Sequence, residues 1–284
     1  WRATPMRAES GRLLAGAGKA VAVILLLLWS LGPIAALVVS SFKPGDEIFA
    51  APPKLLFEPT VRHYVALWTR WGAFFDGLRN SLVVTAGATL LAVAASTMAG
   101  FVLARRPGKA ASSAAIFMIV ARLLPPIVVT LPLFPIVNWL RLNDTHLVLV
   151  ILYATFFVSL GALLMRSFID QIPRELDEAA LVDGAGHLAI LARIIAPLAA
   201  QGMLALAIFV IVYAWNEFLF AFIFTSTRAK TAPLVVAEML GSFDGIDWGV
   251  LFAAATVQLV PILAFVVLMQ KNLVAGLTAG AVKG

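Results

Sequence analysis

Apolar runs of membrane-spanning length alternate with short polar segments along the chain. The first, 20–40, holds 21 residues and no charge. At ~1.5 Å of rise per residue such a helix is about 30 Å long, the thickness of a bilayer's hydrocarbon core. Comparable runs recur at 80–104, 112–140, 145–165, 201–224 and 248–269. The pattern predicts an all-α polytopic membrane protein with six transmembrane helices. Basic residues ahead of 20–40 give that run the outline of a signal peptide. It is too long for an apolar h-region, and Ser40-Ser41-Phe42 is a poor small-x-small site, so it is read as the first transmembrane helix.

The runs divide the chain into an N-terminal segment 1–19, the helix 20–40, an outer loop 41–78, a core 79–271 containing a polar loop at 166–200, and a tail 272–284. The outer loop carries Pro44, Pro52, Pro53 and Pro59 together with Tyr64, Trp68, Trp71, Phe74 and Phe75. Its amphipathic part, 60–75, is expected at a membrane interface, where Trp and Tyr are favoured.

A long polar island between two apolar runs is 173–202. It reads as two short helices. Pro173 stands at a helix start, where its missing N–H costs nothing, and Glu175, Asp177 and Glu178 follow in the first turns, where the helix dipole favours anions. Gly184 and Gly186 break the run. A second amphipathic segment places Leu188, Leu191 and Ile195 on one face, and Pro197 is expected to end it. Two short helices at an angle beside a membrane make a docking surface.

Hydrophobic residues are 62% of the 284, charged residues 13%, and the mean hydropathy is +0.98, which excludes a soluble domain of this length. Cysteine is absent, so disulfides, thiolate metal sites and a Cys nucleophile are excluded. In a membrane protein the net charge of +6 reflects basic cytoplasmic loops rather than nucleic acid. With the amino terminus inside, twelve Lys and Arg fall on inner segments against eight outside, where eight acids balance them. The short turn Arg105-Arg106-Pro107-Gly108-Lys109 is the clearest part of that bias. This orientation puts both termini and the 166–200 loop in the cytoplasm.

Two ionisable residues, Arg122 and Glu217, lie inside predicted helices, about 15 and 24 Å from their cytoplasmic ends. Each costs on the order of 3 kcal/mol at the bilayer centre unless it faces protein or water. Pro125, Pro126, Pro132 and Pro135 fall in one run, and broken helices at this depth line cavities or pack in protein, which makes 112–140 the candidate cavity wall. The candidate solute cavity is therefore Arg122, Pro126, Asn138, Trp215, Asn216, Glu217 and Gln258. Packing between helices is the competing role for each of them.

The chain contains no G-x-x-x-x-G-K-[ST] phosphate loop, no H-E-x-x-H and no G-x-S-x-G. It is expected to hydrolyse nothing itself. His63, His146 and His187 are scattered, so no metal site is expected.

Glu178-Ala179-Ala180, then Gly184, with Ile194-Ile195 and Pro197 downstream, resembles the EAA loop of permease subunits of binding-protein-dependent ABC importers. Ala196 stands where that family usually has Leu, and Leu191 where an aromatic is common. Trp215-Asn216-Glu217-Phe218 and the terminal GLTAGAVKG resemble its carbohydrate (maltose/trehalose) branch. The resemblance covers about residues 15–284. It implies a type I importer permease fold and a coupling loop, with Glu178, Ala179, Ala180, Asp183, Gly184 and Pro197, that seats in a cytoplasmic ATPase subunit. It implies a tail, with Thr278, Gly280 and Lys283, that reaches toward the ATPase dimer. The 225–247 loop, polar and mobile by composition, would meet a solute-binding protein. The implied partners are a second permease subunit, two ATPase subunits that hold ATP and Mg, an extracytoplasmic solute-binding protein and a sugar-like solute in a cytoplasmic (inner) membrane. The alternatives are a permease for a polyol or glycerophosphate-type solute, or a proton-coupled secondary carrier using Glu217 and Arg122.

Overall fold

The computed structural model describes the backbone of residues 6–279 apart from Leu55 and residues 242–244, and the side chains of residues 18–269 within that range. The described residues are helical, with no strand. In chain order the helices are α1 (Met6–Ser40), α2 (Arg62–Arg70), α3 (Gly72–Arg105), α4 (Lys109–Leu123), α5 (Pro126–Trp139), α6 (His146–Ile169), α7 (Glu175–Val182) and α8 (His187–Ile190). A π-helical turn, Leu191–Ile195, leads into α9 (Ala196–Leu198), followed by α10 (Ala200–Trp215), α11 (Leu219–Phe224), α12 (Ala232–Leu240) and α13 (Trp248–Ala279). Four helical stretches are long and apolar enough to cross a membrane, and two bent helix pairs bring the number to six if each is one span.

The residues form two compact units, 1–70 with 239–257, and 71–238 with 258–284. In the first, α1 supplies an exposed apolar span, Gly18–Ser40. The segment after it is held by local bonds: the Tyr64 and Ser41 hydroxyls meet at 2.7 Å, and His63 Nε2 lies 2.7 Å from the Lys43 carbonyl. Phe49 packs edge-on to Trp248 at 5.2 Å.

The second unit is built on α3 against α6. Small residues on α3 recur every fourth position at Ala88, Ala92, Ser96 and Gly100, all buried. This spacing puts them on one face and lets the backbones approach, as membrane helices require when lipid removes the hydrophobic drive. A Cβ on Gly100 would stand 2.7 Å from Met165 Cβ and 2.8 Å from the Arg166 backbone nitrogen, and one on Gly161 would collide with Ser96. Around this seam lie two apolar cores. One joins Ala92, Phe157, Met165, Ile169 and Leu206. The other joins Val84, Leu149, Tyr153, Phe220 and Phe224.

Three predicted elements differ in the structure. The 112–140 run is two helices, α4 and α5, bent by 97°. Leu124, which precedes Pro125, is extended (ψ 127°), as the residue before proline prefers, and Pro125 and Pro126 offer no N–H to continue the ladder. The 201–224 run breaks at Asn216–Phe218, and Asn216 caps α10. The second span begins at Gly72 rather than 80.

The described part of the 225–247 segment up to residue 240 is not an open coil. Asp144, at φ 58°, accepts the backbone N–H groups of Ser226, Thr227, Arg228 and Ala229 at 3.0–3.1 Å and the Thr227 hydroxyl at 2.7 Å. Asn80 donates to the carbonyls of Arg228 and Lys230, and the Ala232 N–H donates to Ser81 Oγ at 2.9 Å. Partial burial alone would raise the Asp144 carboxyl, but the donors outweigh it and hold it well below the usual carboxylate range. A depressed carboxylate contributes stability above its unfolded value, near 3.9, and loses it as pH falls toward the folded value. Amide exchange at residues 226–229 is therefore expected to be slow at neutral pH and to accelerate once the pH drops below about 4, beyond the intrinsic rate. Asp144→Asn is expected to speed it about tenfold or more at pH 7.

Candidate functional site

The polar loop 173–197 is rooted in the second unit on one side and bare on the other. On α7, Asp177 and Ala180 are buried, while Glu178, Ala179 and Asp183 are exposed, as are the apolar Leu176, Leu181 and Val182, the last at 88%. The helix ends in a Schellman turn: the Gly184 N–H donates to the Leu181 carbonyl at 3.0 Å and the Ala185 N–H to the Ala180 carbonyl at 2.9 Å. Gly184 has φ 81°, and nothing lies within 4 Å of where its Cβ would be. Glycine is required there by backbone conformation, not by space.

The second half of the loop buries Leu191 and Ile195 as expected and differs at Leu188 and Pro197. Leu188 is exposed, and the buried face is Ile190, Leu191 and Ile195, which join the α3–α6 core. Pro197 does not end the helix. It sits in the first turn of α9, where its missing N–H is tolerated, and the bend of 80° falls at Ala199 before α10.

The strongest tie between loop and membrane helices is Arg105, at the end of α3. Its Nε donates to Asp177 Oδ2, Nη1 to the Ile169 carbonyl at 3.2 Å and Nη2 to the Ile172 carbonyl at 3.0 Å. Both side chains are nearly closed to solvent, at 10% and 13%. The guanidinium thus satisfies Ile169, a carbonyl left orphaned at the end of α6, while pairing with α7. Arg174 returns the tie, donating from Nη2 to the Ala104 carbonyl at 3.0 Å. In the sequence Arg105 was only one charge in a basic turn. Its partner is 72 positions away, and no local pattern marks such a pair.

The candidate cavity residues separate. Arg122 and Pro126 share a cavity of about 240 Å³ between α4, α5, α6 and α11, whose walls also carry Thr155, Phe156, Ser159 and Phe220. Arg122 and Glu217 form no ion pair. The Glu217 carboxylate instead caps α11, accepting the Phe220 N–H at 2.9 Å and the Ala221 N–H at 3.4 Å. Trp215 Nε1 donates to the Gln258 carbonyl at 3.2 Å, the exposed Asn216 bonds back to the Val212 carbonyl, and Asn138 accepts from Asn143. None of these five lines the Arg122 cavity. Of the tail residues, Thr278 is described only as backbone of α13, and Gly280 and Lys283 lie outside the described residues.

Among the described residues, apolar helices of membrane-spanning length carry a polar loop, 173–197, that is anchored to them on one face. Residues 96–278 match the family described as binding-protein-dependent transport system inner membrane component, and the chain belongs to that family. It is 35% identical to a probable ABC transporter permease protein, y4oR, of Sinorhizobium fredii, over 88% of this chain and 90% of that one. It is 32% identical to the trehalose/maltose transport system permease protein MalG of Thermococcus litoralis, over 93% and 95%. Its fold is that of a chain in the crystal structure of a bacterial ABC transporter involved in import of the acidic polysaccharide alginate, with a TM-score of 0.75, 18% identity and coverage of 92% and 97%.

Proposed function

We propose that this chain is one permease subunit of an ATP-driven importer that carries a sugar or sugar-like solute inward across the cytoplasmic membrane by alternating access. The observation that carries the reading is the two-sided loop 173–197. Its buried face is continuous with the core of α3, α6 and α10, and its exposed face offers Glu178, Ala179, Asp183 and unpartnered apolar side chains. A partner that grips the exposed face moves the membrane helices through the buried one. The sugar class is supported by the trehalose/maltose relative and by the alginate importer that shares the fold. The termini and the loop face the cytoplasm by the Lys and Arg distribution. Two partner ATPases supply ATP hydrolysis with Mg. A second, unlike permease completes the pathway, and a binding protein delivers solute outside. The tail residues Thr278, Gly280 and Lys283 reach toward the ATPases. A proton-coupled carrier is disfavoured, because Glu217 is occupied in capping α11 and is not paired with Arg122.

The test is purification in mild detergent from the native membrane, comparing wild type with Gly184→Asp. Co-purification of an ATPase and a second permease, with the ATPase lost from the variant, is the expected result. A chain that purifies alone in both cases would remove the importer reading and favour the carrier. Gly184→Ala separates strain from docking: at φ 81° it is expected to cost about 1 kcal/mol and to keep the ATPase.

A further inference from the structure

Arg122 is a full charge at membrane depth without a counter-charge. It sits in the last turn of α4, inside the bent pair formed by α4 and α5. Its Nη1 is sealed from solvent and has no hydrogen-bond partner. The four ion pairs among the described residues leave it out. Two features offset part of the cost of placing it there. The end of α4 carries about half an elementary negative charge, and the Phe156 ring lies 5.2 Å from the guanidinium carbon. Neither is a carboxylate, and Glu217, in the break between α10 and α11, is held by two backbone N–H groups of α11.

The guanidinium fronts the 240 Å³ cavity, not an outer face. The walls come from four helices of the same unit. Apart from Arg122, the polar side chains on them are Thr155 and Ser159, four positions apart on α6 and therefore on one face. Glu217, by capping α11, fixes the turn that holds Phe220 in the wall. The space is smaller than the roughly 300–1,000 Å³ that encloses a whole drug-sized ligand. It suits one charged group and the edge of a ring. A planar fork of donors over an aromatic ring, in a cavity also lined by Thr155 and Ser159, matches a carboxylate, sulfate or phosphate.

We propose that the Arg122 cavity recognises an anionic group, so that the solute carried is an acidic sugar-like molecule and Arg122 determines that specificity. The proposal rests on the reading of the chain as a solute permease. A carboxylate of the second permease is the competing counter-charge.

The test uses the complex purified from its native membrane. Saturation-transfer NMR is recorded with glucuronate, glucose 6-sulfate and neutral glucose as probes. The expected result is a signal for both anions well above that for glucose. Arg122→Gln is expected to weaken anion binding about tenfold or more while leaving the second permease and the ATPase in the complex. Arg122→Lys, which keeps the charge but not the fork, is expected to fall between. Equal signals from glucose and the anions in wild type would overturn the proposal without any variant. So would anion signals that Arg122→Gln does not change. Loss of the second permease from Arg122→Gln would overturn it in favour of an interchain ion pair. A complex that assembles but shows no anion preference removes this inference alone, whereas a chain that purifies without an ATPase removes the proposed function with it.

Discussion

Replacing Arg105 with alanine is expected to uncouple the 173–197 loop from the membrane helices. The substitution removes three bonds at once, those to Asp177, the Ile169 carbonyl and the Ile172 carbonyl. It also strands a carboxylate that is 13% exposed and whose other oxygen, Oδ1, is sealed without a donor. Breaking a buried pair from one side typically costs about 3–5 kcal/mol, because the remaining charge stays desolvated. That cost falls on the contact between α7 and the end of α3, so α7 is expected to detach before the α3–α6 seam opens. In the reconstituted complex, ATP hydrolysis should continue while solute uptake falls by at least an order of magnitude. Asp177→Asn should act in the same direction, since Arg105 would then lack its counter-charge. Arg106→Ala, one position along and exposed, is the control and should change uptake little. Uptake that survives both Arg105→Ala and Asp177→Asn would show that the pair positions nothing the transport cycle needs.

Gly100→Leu is expected to abolish the folded second unit. Even a Cβ at this position meets Met165 Cβ at 2.7 Å, the Arg166 nitrogen at 2.8 Å and the Ala162 carbonyl oxygen at 3.0 Å. Two of those atoms are backbone of α6, so no side-chain rotation relieves the clash and the helices must separate. Overpacking a core by a few methylenes costs about 1–3 kcal/mol when side chains can adjust. Here the adjustment is a displacement of the most extensive helix contact in the unit, and a cost above that range is expected. The measurement is the monodisperse fraction on gel filtration in detergent, together with the melting temperature. Gly32→Leu, on the exposed face of α1 with nothing within 4 Å, should leave both unchanged. A monodisperse Gly100→Leu protein that melts with the wild type would refute the close approach of α3 and α6.

Several features were legible along the chain because they are local. The positions of the spans follow from runs of apolar residues whose length matches the bilayer. The loop 173–197 stands out as a polar stretch between apolar runs, and its glycine stop at Gly184 is a left-handed Schellman turn. Proline spacing marked 112–140 as a broken element, although the size of the bend, 97°, depended on how α5 packs. On the loop's second half Leu191 and Ile195 are buried as their spacing predicts, whereas Leu188 is exposed and Ile190 is buried in its stead.

The class of protein, the number of apolar runs and the position of the polar loop were readable from local composition and from the cost of leaving backbone or charge in hydrocarbon. Which distant polar residues act together followed from the packing. It paired Arg105 with Asp177, gave Asp144 the backbone of 226–229 to hold, and left Arg122 facing a cavity. These outcomes depend on which side chains arrive within about 3 Å of one another. Residues tens of positions apart are brought to that distance by the close packing of α3 on α6, and spacing along the chain does not encode it.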